Sequence, residues 1–153
     1  TAEEAREVVD AAKFAPIGSR GSYTSRQGIG VDDYFTTAND ETMAIILIED
    51  IVAVNNLVEI LKVDHIDVFF VAPGDLAQSM GFVGQPFHSE VQETVDRAIS
   101  QIVAAGRVAG ALATDSSVAS YVEKGARFIS NSYAPWVNSG AEGYLKTLNA
   151  AIG

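Results

Sequence analysis

Hydrophobic and polar positions in this chain alternate between two periods. Ala5, Val8, Val9 and Ala12 recur at i, i+3, i+4 and i+7, the stripe of an amphipathic helix. Thr1 with Glu4 three residues on is a capping box that starts it. The helix is predicted to stop before Pro16. A polar, glycine-containing stretch over about 18–39 then reads as a loop, and loops of that length are usually functional or mobile. Residues 43–48 form an unbroken apolar run closed by Glu49 and Asp50, and residues 66–72 a second one closed by Pro73, Gly74 and Asp75. Runs this short, rich in β-branched and aromatic residues, predict strands buried on both faces.

Helical periodicity fills the gaps. A helix over about 50–62 would place Ile51, Val54, Val58 and Leu61 on one face. Ser89 and Gln92 make a second capping box, opening a helix over about 90–105 that buries Val91, Val95, Ala98 and Ile102, with Gly106 as its stop. A weaker strand covers 108–113, a helix 114–124 stopped by Gly125, and a fourth strand 126–131. The last helix, over about 139–150, would turn Ala141, Tyr144, Leu145 and Leu148 inward. The order is a helix and then four β/α units. Such alternation predicts an α/β fold with a parallel sheet and right-handed crossovers. A closed (β/α)8 TIM barrel takes eight units in about 250 residues. Four units behind a helix that has no strand before it predict a partial barrel. On this reading residues 1–153 are the C-terminal half of a single barrel domain, units five to eight with the helix of unit four in front.

Composition narrows the partners. The 153 residues are 48% hydrophobic, enough for one domain with its own core. Twenty acidic against ten basic residues give a net charge of −10, which argues against nucleic acid or an anionic membrane as a partner. The absence of cysteine excludes disulfides and thiolate metal sites and fits a reducing, cytoplasmic location. No apolar run approaches the roughly 18 residues of a membrane span, and no signal-peptide pattern opens the chain.

Parallel α/β folds gather the C-terminal ends of their strands on one rim, where chemistry sits. Glu49 and Asp75, each closing a predicted strand, would point carboxylates into one mouth. Oxygen ligands alone suit Mg²⁺ or Mn²⁺, and two carboxylates leave coordination places for water and substrate. A 2-oxo acid would chelate through its carboxylate and keto oxygens, with the metal as Lewis acid while an enolate forms. The backbone N–H groups of Gly74 and Asp75 would hold the substrate carboxylate. The competing reading makes both acids plain helix caps or first-turn residues, and spacing alone leaves both open. His65 precedes a strand, at the opposite rim, and reads as structural; His88 reads as a loop-packing or capping residue. Arg20 and Arg26 lie in the long loop, either orienting it over the mouth or solvated. Tyr133, Pro135 and Trp136 follow the fourth strand as a subunit contact, a pocket edge or an ordinary apolar cover. No Ser-His-Asp motif and no glycine-rich phosphate loop after a strand is present.

The wording of several segments resembles one family. Ile48-Glu49, the stretch Asp67-Val68-Phe69-Phe70-Val71-Ala72-Pro73-Gly74-Asp75-Leu76-Ala77, and Met80-Gly81-Phe82-Val83-Gly84-Gln85-Pro86 followed by His88-Ser89-Glu90-Val91 are similar to motifs of the HpcH/HpaI aldolases. So are Ala2 to Arg6, Gly18-Ser19-Arg20-Gly21 and Ala38-Asn39-Asp40. These are class II pyruvate aldolases, which cleave or form 2-keto-3-deoxy and 4-hydroxy-2-oxo acids. The resemblance implies Glu49 and Asp75 as the ligands of a divalent metal (Mg²⁺ or Mn²⁺, with Co²⁺ also suitable). It implies Gly74 and Asp75 as backbone contacts to the pyruvate carboxylate and Leu112 as an apolar wall of the substrate pocket. It further implies a 2-oxo acid and an aldehyde as small-molecule partners, and a homo-oligomer. Leu47 stands where the family has a substrate-contacting glutamine. The family's base histidine and enolate-stabilising arginine belong to the first half of the barrel, so none of these residues is expected to be the catalytic acid or base, and the isolated chain is expected to be incomplete for catalysis. Two other readings are a CoA-thioester lyase of the citrate-lyase-β type, for which the chain offers few basic residues, and a non-catalytic half-barrel used for assembly.

Overall fold

The computed structural model describes residues 1–24 and 26–153. Helix α1 (Ala2–Ala12) opens on the capping box, with the Thr1 side chain accepting from Glu4 N–H. Two short 3-10 turns (Ser22–Thr24 and Arg26–Gly28) lead to α2 (Tyr34–Glu41). The sheet and its crossovers follow: β1 (Ile45–Ile48), α3 (Ile51–Asn55), α4 (Leu57–Ile60), β2 (Val68–Val71), α5 (Pro73–Ser79), α6 (Ser89–Ala104), β3 (Ala109–Leu112), α7 (Val118–Glu123), β4 (Phe128–Ser130) and α8 (Ala134–Ile152). The four strands lie in sequence order, β1-β2-β3-β4, and every pair is parallel. This is the strand and helix order of part of a (β/α)8 barrel.

The two faces of the sheet are unequal. Ile48, Phe69, Val71, Ala109 and Ala111 point into a core built with Leu57, Ile60, Leu76, Val91, Ile99 and Ile102 of the crossover helices. The alternate residues, Ile45, Leu47, Val68, Phe70, Gly110, Leu112 and Phe128, line the other face and lie outside that core. Leu47, Phe70, Gly110 and Phe128 form one register row across it. Phe70 and Phe128 meet edge to face over Gly110, with ring centroids 6.1 Å apart. Leu47 is 54% exposed, against 1% for its neighbour Ile48.

Long side chains fasten the strand-start end. Arg107 donates to the carbonyls of Leu61, Val63 and Ile66 at 3.1, 3.0 and 2.8 Å, while its guanidinium covers the Phe69 ring. Lys13 is 4% exposed and donates from Nζ to Asn39 O at 2.6 Å and to Thr42 O. It thereby caps the last turn of α2, whose carbonyls have no intrahelical partner.

Several sequence expectations change. The stretch read as loop contains α2, held by Lys13 and by a two-way amide pairing between Asn39 and the Phe14 backbone. The single helix over 50–62 is two, divided at Asn56, whose side chain donates to Val52 O. The division shifts the buried phase, so Leu57 is buried and Val58 exposed. A helix not anticipated, α5, begins with Pro73 in its first turn, where the missing N–H costs nothing. The cap of α6 is His88, not Ser89, and Gln92 donates to Pro86 O instead of closing a capping box. Helix α8 begins at Ala134, and Ala141, Tyr144, Leu145 and Leu148 are exposed, not inward. Its strand, β4, is the edge of the sheet, so the helix has no second strand to lie across. Among the described residues no helix is long and apolar enough to cross a membrane.

Candidate active site

Both predicted carboxylates lie at the strand-end rim, on neighbouring segments. Ile48 and Val71 are register partners closing β1 and β2, and Ala72 N–H donates to Ile48 O at 3.1 Å. Glu49 directly follows β1, and Asp75 sits in the first turn of α5. The chain turns at Glu49 because Asp50 caps α3, its carboxylate accepting from Val52 and Ala53 N–H. Asp50, not Glu49, is therefore the capping residue. Asp75 makes no capping bond either. Neither the Glu49 nor the Asp75 carboxylate pairs with any described residue through a hydrogen bond or ion pair.

The other predicted contacts share this rim. Gly74 and Asp75 N–H belong to the first turn of α5, where no intrahelical carbonyl reaches, and they donate to no described residue. Leu112 is the last residue of β3, exposed on the sheet face opposite the core. A cleft of about 470 Å³ runs along the free edge of β1 between α1 and α3. Leu47, Glu49 and Asp50 line it with Thr1, Glu4 and Val8, whereas Gly74, Asp75 and Leu112 stand outside it.

An oxygen-only pair of unengaged carboxylates beside two free amides fits a hard divalent cation that carries an anionic ligand. Among the described residues no group of three or more His, Cys, Asp or Glu stands close enough to make a full protein cage. Such a cation would keep coordination places open for water or substrate.

The two histidines lie at opposite ends of the strands. His65 lies on the far side of β2, with φ at 61° and at the strand-start end. His88 is at the carboxylate rim, but its ring stacks on Phe82 at 3.9 Å and its Nδ1 accepts from Glu90 N–H. Arg20 is stacked over Phe14 beside the end of α1, at the strand-start end, so it does not orient a loop over the mouth. Trp136 donates from its indole N–H to Asp115 at 3.1 Å, tying the start of α8 to the loop after β3. Sequence reasoning missed Ser79, whose hydroxyl joins α5 to the start of α3; an isolated serine on a short helix carries no pattern.

Comparison with known proteins agrees with this architecture. A family model described as HpcH/HpaI aldolase/citrate lyase matches residues 1–145. The 2-keto-3-deoxy-L-rhamnonate aldolase of Klebsiella pneumoniae subsp. pneumoniae is 44% identical over 124 residues, which are 78% of this chain and 46% of that protein. The 4-hydroxy-2-oxo-heptane-1,7-dioate aldolase of Salmonella paratyphi B is 41% identical over 133 residues, 84% of this chain and 51% of that protein. The chain thus spans about half the length of these curated relatives. A solved HpcH/HpaI aldolase from Desulfitobacterium hafniense superposes with a TM-score of 0.79 at 29% identity, covering 97% of this chain and 60% of that one. A family protein from Burkholderia cenocepacia gives 0.83 at 26% identity, with 97% and 62% covered.

Proposed function

The chain belongs to the HpcH/HpaI aldolase/citrate lyase family, and on that footing we propose that it carries the cation-holding part of a metal-dependent aldolase. The reaction is cleavage or formation of 2-keto-3-deoxy or 4-hydroxy-2-oxo acids by way of pyruvate enolate. The observation that supports it is the pair of unengaged carboxylates, Glu49 and Asp75, at the ends of adjacent parallel strands. On this reading residues 1–153 are the C-terminal half of one barrel domain.

Glu49 and Asp75 are the residues that would hold Mg²⁺, Mn²⁺ or Co²⁺. When bound, such an ion supplies Lewis acidity, drawing charge from the carbonyl of a 2-oxo acid. The chain's own groups do the rest of the binding. The free N–H groups of Gly74 and Asp75 receive the substrate carboxylate, where the first-turn dipole of α5 favours an anion. Leu112 supplies apolar wall beside the reacting carbon, and Leu47, one step down the same face as Glu49, offers hydrocarbon and no hydrogen bond. The 2-oxo acid is thus recognised here by its charge. Proton transfer falls to a base outside these residues, as the family resemblance implies, with His65 at the other end of the strands and the His88 ring packed on Phe82 beside the cap of α6.

Titration of the chain with Mn²⁺, followed by the electron paramagnetic resonance of the free ion, tests the ligand assignment. Glu49→Gln and Asp75→Asn are each expected to weaken binding about ten-fold or more, since each removes one charged ligand. Pyruvate, and not a CoA thioester, should alter the signal of the bound ion. Unchanged affinity in both variants would sink the assignment. Full retro-aldol activity from these residues alone would overturn the placement of the base.

A further inference from the structure

Ser79 stands between the two segments that carry the carboxylates. Its Oγ accepts from Ile51 N–H at 2.9 Å and donates to Leu76 O at 2.9 Å. Ile51 is two residues beyond Glu49, and Leu76 directly follows Asp75. One hydroxyl therefore bridges the start of α3 to the middle of α5. Among the described residues no other side-chain hydrogen bond joins these two segments.

The bridge completes a set of donors. Ile51 N–H opens α3 and has no carbonyl within the helix to bond to. Asp50 takes the next two amides, Val52 and Ala53, and leaves that of Ile51 to Ser79. The first three amides of α3 are thus engaged, whereas the amides of Gly74 and Asp75 donate to no described residue.

We infer that Ser79 is a positioning residue, which holds the corner after β1 against α5 so that Glu49 and Asp75 keep one spacing. This rests on the reading of those two side chains as cation ligands. Ligands on separate segments cost less to order when a neighbouring hydrogen bond has already fixed them.

Ser79→Ala removes the bridge and touches neither carboxylate. It is expected to weaken Mn²⁺ binding about five-fold, the order of one neutral hydrogen bond. The Ile51 amide should exchange faster with solvent, measured by nuclear magnetic resonance. Ser79→Thr keeps the hydroxyl and should restore both readouts. If Ser79→Ala lacks the wild-type circular dichroism spectrum, Ser79→Cys, with a weak sulfur acceptor, carries the same comparison. Wild-type Mn²⁺ affinity in Ser79→Ala while Glu49→Gln loses it overturns the positioning role alone, as does failure of Ser79→Thr to restore binding. Wild-type affinity in Glu49→Gln and Asp75→Asn removes the reading beneath it.

Discussion

Gly110 shows how tightly one position can be specified. A Cβ built there would lie 2.7 Å from Phe70 Cδ2 and 2.9 Å from Val68 Cγ1, and the Phe70 backbone is 3.2 Å away. Those contacts are shorter than carbon atoms tolerate, and two branched or aromatic side chains would have to move together. Gly110→Ala is therefore expected to destabilise the chain by about 1–3 kcal/mol, the usual cost of overpacking. The midpoint of urea unfolding measures it, and a midpoint equal to wild type would show that the inner face is looser than these distances imply. The glycine also sets the height of that face. Without a side chain there, the Phe70 and Phe128 rings can meet across β3, below the level of Leu112 and Glu49.

Elements differ in what holds them. Helix α2 has one buried residue, Ala38, and its last turn ends on the Lys13 ammonium. Lys13→Met keeps the length of the side chain and removes its donors, leaving the Asn39 and Thr42 carbonyls without that partner. A loss of about 1–3 kcal/mol is expected, the range for a buried group left unsatisfied. Chemical denaturation of the variant checks it, with Lys13→Arg as a control that keeps the charge. The same contact explains why α2 escaped a reading of the sequence, since its partner lies 26 residues away on another segment. Strand β2 was legible because burial on both faces writes a continuous apolar run, Val68-Phe69-Phe70-Val71, and β1 because its run is equally apolar although one of its faces is open. The rim carboxylates were legible because they close those runs. Two features were not: the division at Asn56, decided by its side-chain bond to Val52 O, and the hydroxyl bridge of Ser79. Both depend on one side chain reaching one atom, and periodicity carries no such information. Helix α8 falls between these cases. Its stripe of Ala141, Tyr144, Leu145 and Leu148 announced a face that wants cover, but a stripe does not say which element supplies it.

At the scale of the whole molecule, the core is one-sided. Helices α4, α5 and α6 seal one face of the sheet, while Ile45, Leu47 and Leu112 on the other remain open to solvent. That asymmetry serves the proposed chemistry, because the open face leads up to Glu49 and Asp75. The edge position of β4 leaves α8 poorly secured. Its 19 residues include no buried side chain, and Gly140 and Gly143 weaken its middle by about 1 kcal/mol each relative to alanine. A helix of that length without tertiary support is marginal in water. In the isolated chain, then, the backbone around Lys146 opens more readily than that around Arg107, whose side chain is tied to three carbonyls, and trypsin should cleave at Lys146 before it reaches Arg107. Mass spectrometry of a brief digest reads the order of cutting, and first cleavage at Arg107 would contradict it. A nicked product that keeps its four strands would mark the end of α8 as a detachable arm, one that can be trimmed or fused to another sequence without disturbing the carboxylate rim.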